Sequence, residues 1–484
     1  MSRHTLFTVT AAVVLSAAPA AAQTAPAPTL VALTRDTTTV ARDTTPVGPS
    51  DSTTAPESAR SAMSLLVQQT EIQRLRPNDQ RGINVFEAPK EELVPFTGFR
   101  LGFGAAFTQQ FQGISQHNTG TWKPATDATG KVYNANQLIT IGKGFNNAVA
   151  NAYVNAQLAK GVRVAMTGYL SARHHNETWI KDGYLLIDDS PIDYLPLKVL
   201  MAFTTVKAGH FEINYGDTHF RRTDNGNAMY NPLVGNYILD AFTTQVGGEV
   251  MLRARGVMLM GGVTNGEVRG TILNPVKRAP AYIAKVGADR QITPLVRTRL
   301  TASLFSQARS ANQTLYSGDR AGSRYYDVLE NTASTEAAQA WSGAIQPFSG
   351  ANAGLHAAVI NPFVKVGPVE YFGNFERARG RSIINNVTEK DVRTVDQISN
   401  ELTVRFLRDQ LYVAGRYNTV SGKLAGIAND ISVKRSQFGG GWFITPLVLM
   451  KGEYVTQKYL DFPTLDIRNG GNFKGFMVEG VVAF

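Results

Sequence analysis

Phe476-Met477-Val478-Glu479-Gly480-Val481-Val482-Ala483-Phe484 decides the fold. Side chains in a strand alternate between two faces, so Phe476, Val478, Gly480, Val482 and Phe484 share one side. That side is apolar, and the sequence stops on an aromatic residue with no tail to fold back over an edge. The stretch predicts a final strand that closes a sheet and turns its oily face outward.

The opposite end places that sheet. Met1 to Ala22 has the three parts of a secretory signal: Arg3 and His4, an apolar stretch from Leu6 to Ala18, and small residues Ala20-Ala21-Ala22 before Gln23. The apolar stretch is too short to cross a bilayer as a helix, and no later run of roughly 18 apolar residues exists. An exported chain that enters a membrane must then do so with strands. The sequence has no Cys, which excludes a disulfide-stapled module, thiolate metal sites and a Cys nucleophile. Hydrophobic content is only 43%; a barrel hides its membrane signal in this way, because lipid-facing and lumen-facing residues average out. With 44 Gly, 24 Phe, 17 Tyr and 4 Trp the composition suits tight strand packing and aromatic girdles. The expected fold class is all-β: a transmembrane antiparallel barrel of about 16 strands in the bacterial outer membrane, its final strand read by the assembly machinery.

Net charge is +10, or +9 after residue 22, since Arg3 leaves and 47 basic residues face 38 acidic ones. Nucleic-acid binding would gather that excess into basic runs. Here Lys and Arg are scattered singly among strand-like segments, which suits a water-filled lumen biased toward anions.

Residues 23–60 are rich in Thr, Ala, Pro and Asp and cannot bury enough surface to fold, so a disordered periplasmic leader is expected. Residues 61–95 read as a short helix and linker: Ala62, Leu65, Ile72 and Leu75 approach helical spacing, and Pro77 stops the run. The barrel spans 96–484. Alternation recurs throughout it. Val162, Val164, Met166 and Leu170 oppose Arg163, Thr167, Ser171 and Arg173. Thr298, Leu300, Ala302 and Leu304 oppose Arg297, Arg299, Thr301 and Ser303. Leu402, Val404 and Phe406 oppose Glu401, Thr403 and Arg405, and Leu411, Val413 and Tyr417 oppose Tyr412, Arg416 and Asn418. Sixteen such segments are joined by short turns, such as Lys160-Gly161 and Val366-Gly367-Pro368, and by long polar loops. A soluble sandwich or propeller would need an apolar interior, whereas one face of each strand here is strongly charged.

The densest segment is Val206-Lys207-Ala208-Gly209-His210-Phe211-Glu212-Ile213-Asn214-Tyr215-Gly216-Asp217, followed by Thr218-His219-Phe220-Arg221-Arg222-Thr223-Asp224. The Lys-x-Gly-His-Phe strand, the Tyr-Gly turn and the long loop after it resemble the phosphate-selective porins O and P, and the resemblance extends loosely from Phe96 to Phe484. It implies a 16-stranded homotrimeric porin for small anionic or polar solutes, phosphate among them, with a third long loop folded inward. Arg221, Arg222, His219 and Lys207 are then the candidate constriction, because a guanidinium is always charged and offers several donors to an oxyanion. Pairing of the two arginines with Asp217 and Asp224 is the competing expectation. Arg163, Arg173, Arg297, Arg299, Arg405 and Arg416 are candidate lumen-lining cations. The lysine cluster of the phosphate-specific relatives has no match here.

An enzyme is not expected, and neither is a cofactor or a metal. Adjacent His174 and His175 point to opposite faces of a strand, and no Ser sits in a nucleophile-elbow context. The alternatives to a porin are a barrel hydrolase built on His210, His219 and Asp217, and a closed structural or adhesive barrel. A lumen plugged by Arg–Glu pairs would favour either alternative.

Overall fold

The computed structural model describes residues 72–484, apart from 89, 91–94, 128, 172–177, 269–277, 318–324 and 335–342. The expected signal, the leader and residues 61–71 of the expected helix lie outside the described residues, as do Arg173, His174 and His175. Residues 72–76 form a turn and extended chain, not helix.

Sixteen strands form the barrel. They are β1 Arg100–His117, β2 Val149–Ala159, β3 Val162–Leu170, β4 Thr178–Ile187, β5 Thr204–Glu212 and β6 Thr244–Ala254. Next come β7 Val257–Thr264, β8 Ala281–Thr293, β9 Val296–Gln307, β10 Gly350–Val366 and β11 Val369–Ile384. The circuit ends with β12 Arg393–Phe406, β13 Leu411–Gly422, β14 Ile431–Thr445, β15 Val448–Leu460 and β16 Asn472–Ala483. Each pairs antiparallel with its neighbours in sequence.

Closure rests on β1. Its first half pairs with β2, from Arg100↔Gln157 to Thr108↔Val149, and its second half with β16, from Ala106↔Ala483 to His117↔Asn472. Ala105 and Phe484 exchange backbone hydrogen bonds of 2.9 Å in each direction. No barrel edge is left unpaired, as a lipid-facing sheet requires. Among the described residues no helix is long and apolar enough to cross a membrane; the longest, α1, spans Leu195–Met201.

The outward face is apolar along the circuit. Leu300 and Leu304 on β9, Leu402 and Phe406 on β12, and Met450 and Tyr454 on β15 are all exposed, while Thr301, Ser303, Glu401, Thr403, Lys451 and Glu453 are buried inside. In the closing strand Phe476, Val478, Val482 and Phe484 are 37–40% exposed and Met477, Glu479, Val481 and Ala483 at most 1%. Phe476 stacks on Phe111 across the seam with centroids 6.1 Å apart. Water cannot be the solvent for such a belt; the barrel spans a membrane.

One end of the barrel carries short turns, around Gly161, Gly256, Gly367 and Pro446, and receives the chain before β1. The other end carries the long connections, including residues 213–243 and 308–349.

Candidate functional site

The interior departs from a water-filled bore. Residues 213–243, between β5 and β6, turn into the lumen and are almost wholly buried. This segment reaches the far wall: the Val234 and Gly235 amides donate to Glu453 Oε2 of β15 at 2.7 and 3.0 Å. The Ile238 amide donates to Asn418 Oδ1 of β13 at 2.7 Å, and the Leu239 amide to Gln397 Oε1 of β12 at 2.9 Å. Inward polar side chains thus satisfy the backbone of a buried loop, which has no water to turn to. Near its tip, Gly226 is held against β1 and β2. A Cβ there would stand 2.5 Å from Ala150 Cα and 2.7 Å from the Ala106 carbonyl, so only glycine passes.

The described parts of a second long connection, 314–317, 325–334 and 343–348, pack beside it. Tyr316 donates to Glu376 at 2.6 Å, Tyr325 to Glu453, and Arg435 Nη2 to the Gly343 carbonyl at 2.6 Å. Ile238, Leu239, Leu315, Tyr325, Ile345 and Phe348 join one apolar cluster inside the barrel.

Residues 72–90 occupy the short-turn mouth. Arg74 pairs with Asp188 at 2.7 Å, beyond the end of β4. The chain then crosses to the opposite rim, where the Gln80 amide donates to Pro446 O at 3.0 Å and Gln80 Nε2 to Asp409 O at 2.9 Å. Asn84 donates to Glu370 of β11 at 2.7 Å. Glu87 meets Lys285 of β8 at 3.1 Å and Arg299 of β9 at 2.8 Å. Burial opposes ionisation of Glu87, yet the two cations hold its carboxyl well below the usual range. Lys90 comes back to Asp188, donating to its carbonyl and to that of Thr204. The segment therefore makes a circuit of the inner rim.

The predicted site residues take up these contacts. Arg221 is 2% exposed and ion-paired with Glu401 at 2.8 Å. Arg222, 1% exposed, makes a fork with Asp240, Nε at 2.9 Å and Nη2 at 2.6 Å. Pairing is thus real, but the main partners are Glu401 and Asp240; Asp224 stands 3.9 Å from Arg222, and Asp217 belongs to Arg299 and Lys285. Burial opposes the Asp217 charge, and those two cations keep its carboxyl below its ordinary value. Lys207 pairs with Glu249 at 2.9 Å and lies over the Tyr184 and Phe211 rings. His219 is held by Glu212 at 2.9 Å and Asn214 at 3.1 Å, and burial pushes its imidazole down from its usual value.

Of the remaining lumen cations, the four described ones are each matched with an acid. Arg163 meets Asp188 at 2.5 Å, Arg297 meets Asp289 at 2.7 Å, Arg405 meets Glu370 at 2.9 Å, and Arg416 meets Glu401 at 2.6 Å. The expected ladder is a set of buried ion pairs spread over the interior. His210 bonds Thr244 at 2.9 Å, His219 bonds Glu212 at 2.9 Å, and Asp217 accepts from Arg299 at 2.8 Å. Among the described residues no three His, Asp or Glu side chains group to hold a metal ion. The sequence reading missed Glu401, Asp240, Glu453 and the whole of 72–90, because their partners lie some 15 to 400 positions away along the chain.

Among solved structures the chain is similar to an anion-selective porin from Comamonas acidovorans, at 10% identity and TM-score 0.47, over 80% of this chain and 100% of that one. It is similar also to the outer membrane channel DcaP of Acinetobacter baumannii, at 9% and 0.47, over 81% and 99%. A third is OprB of Pseudomonas putida, at 10% and 0.46, over 80% and 94%. No protein-family model and no curated protein matches the chain. None of these comparisons shows the O and P family, and the barrel itself is established by the pairing of these sixteen strands around a closed circuit.

Proposed function

We propose that this chain is an outer-membrane porin for small hydrophilic solutes, preferring anions, with phosphate one candidate, and that its bore is narrowed by its own segments. The observation that carries the reading is a closed barrel whose strands turn apolar residues outward and set charged and polar side chains inward, Thr301, Ser303, Glu401, Thr403, Lys451 and Glu453 among them, beside inward apolar residues such as Met258, Leu355 and Val481. A barrel with that division has a hydrophilic path as its natural product, and passive diffusion needs no covalent step. The basic excess of the exported chain supports the anion preference. Arg221 and Arg222 on the inward loop and Lys207 on β5 would shape the constriction as ion-paired struts, with His219 hydrogen-bonded beside them. Short turns facing the periplasm would put residues 72–90 on that side, and a homotrimer is the expected assembly.

A packed interior favours a second reading, a closed structural barrel whose long loops bind an external partner. Single-channel recording of the refolded chain under a KCl gradient separates them. Stable steps with an anion-side reversal potential support the porin and its preference. Cation-side reversal keeps the porin and removes the preference, and silence from demonstrably folded barrel sinks the porin.

A further inference from the structure

We propose that the barrel holds a binding site for a small organic anion with a flat apolar body, in the cavity between residues 74–88 and the inner wall of β2–β6. The cavity measures about 280 Å³, at the small end of ligand pockets, which run from roughly 300 Å³ upward. Phe86, Tyr153, Tyr184, Phe220 and Met251 give it apolar and aromatic walls. Its charged lining is Arg74, Arg76, Arg163, Lys207 and Arg253 against Glu87, Asp188 and Glu249, five cations and three carboxylates, an excess of two positive charges.

Those carboxylates are engaged elsewhere. Asp188 serves Arg74 and Arg163, Glu249 serves Lys207, and Glu87 serves Lys285 and Arg299. Arg76 is left without an acid. Its Nη2 donates to the backbone carbonyls of Gly82 at 3.2 Å and Phe220 at 2.9 Å, and its guanidinium lies 3.9 Å from the Tyr230 ring centroid. Among the described residues it makes no ion pair, and its buried Nε has no hydrogen-bond partner. Burial pushes the group down from its usual value. A guanidinium withdrawn from water with no acid in contact, only Glu212 and Glu87 acting from further off, is costly, and a carboxylate or other oxyanion would relieve that cost through charge-assisted bonds. The surrounding rings offer faces and edges to a planar apolar body, so the site selects for charge and hydrophobicity together. Because residues 74–88 form one wall, an occupant would also bind that segment to β2–β6.

The site goes beyond the channel reading and does not need it: binding is read on detergent-solubilised protein, conduction in a bilayer. The test is ¹⁹F NMR of 4-fluorobenzoate with the full chain, with neutral 4-fluorobenzamide as the control. Saturable broadening of the benzoate but not the amide is expected. Arg76→Gln should weaken it at least tenfold. Ala165→Phe, which fills the cavity from the β3 wall while keeping every cation, should abolish it. Both variants are first shown to be folded by heat-modifiable migration, and the second carries the test alone should the first fail to fold. Equal broadening by the amide, undiminished binding in either folded variant, or no saturable binding to the unaltered chain would overturn the proposal.

Discussion

Glu401 shows how single residues hold this interior. One buried carboxylate accepts from Arg221 at 2.8 Å and Arg416 at 2.6 Å. Removing the acid leaves two buried guanidinium groups, whereas removing Arg221 leaves Glu401 still matched by Arg416. Breaking a buried pair from one side costs about 3–5 kcal/mol, so Glu401→Ala should lose that much in urea unfolding from lipid vesicles and Arg221→Ala clearly less. Equal losses would contradict the shared-acid arrangement. Lys90 gives a pH effect. Burial lowers its pKa to about 8 from the ordinary lysine value, with Asp188 and Asp189 opposing and Arg74 and Arg253 assisting. A folded-state value below the free one means the charged form is penalised when the segment is docked. That penalty is present at neutral pH and fades as pH rises through about 8. Residues 72–90 should therefore resist protease better at pH 9.5 than at pH 7, and Lys90→Met should flatten the difference.

At the scale of the element, the alternation that defines each strand was legible because it depends only on neighbours two positions apart. Leu300 and Leu304 outside, Thr301 and Ser303 inside, follow from the sequence alone, as do all sixteen segments. The ends of strands were less legible. β1 extends to His117 because its second half is fixed by β16 at the far end of the chain. The seam makes a sharp demand there. A Cβ on Gly475 would stand 2.2 Å from the Gly113 carbonyl and 2.6 Å from Ile114 Cα. Gly475→Ala should abolish the compact, heat-modifiable band on electrophoresis, while Gly452→Ala, whose nearest neighbour would be 3.7 Å away, should keep it. A folded Gly475→Ala barrel would show that the seam can shift.

The whole molecule is a barrel filled by its own chain. The described residues of three segments far apart in sequence, 72–88 with Lys90, 213–243, and 314–317 with 325–334 and 343–348, meet inside it. The first crosses the mouth and is bonded to the second, Arg76 donating to the Phe220 carbonyl at 2.9 Å. Gln80→Cys with Pro446→Cys, in a chain otherwise free of cysteine, allows a cleavable bis-thiol linker to fix that segment to the rim. Linked protein should conduct several-fold less than the same protein after reductant. Identical conductance in both states would rule out the segment as an obstruction.

The sequence by itself determined the β class, the outward and inward faces of the strands and their number. Those properties are local periodicities, and a one-residue slip would have reversed them. Only the tertiary structure decided what the inward faces meet. Arg221 answers Glu401 across 180 positions, and Gln80 answers Pro446 across the barrel, pairings that periodicity cannot encode. Closure of the sheet converts strands remote in sequence into opposite walls a loop's length apart. A polar face written for water in the sequence is, in the folded chain, solvated by the chain itself.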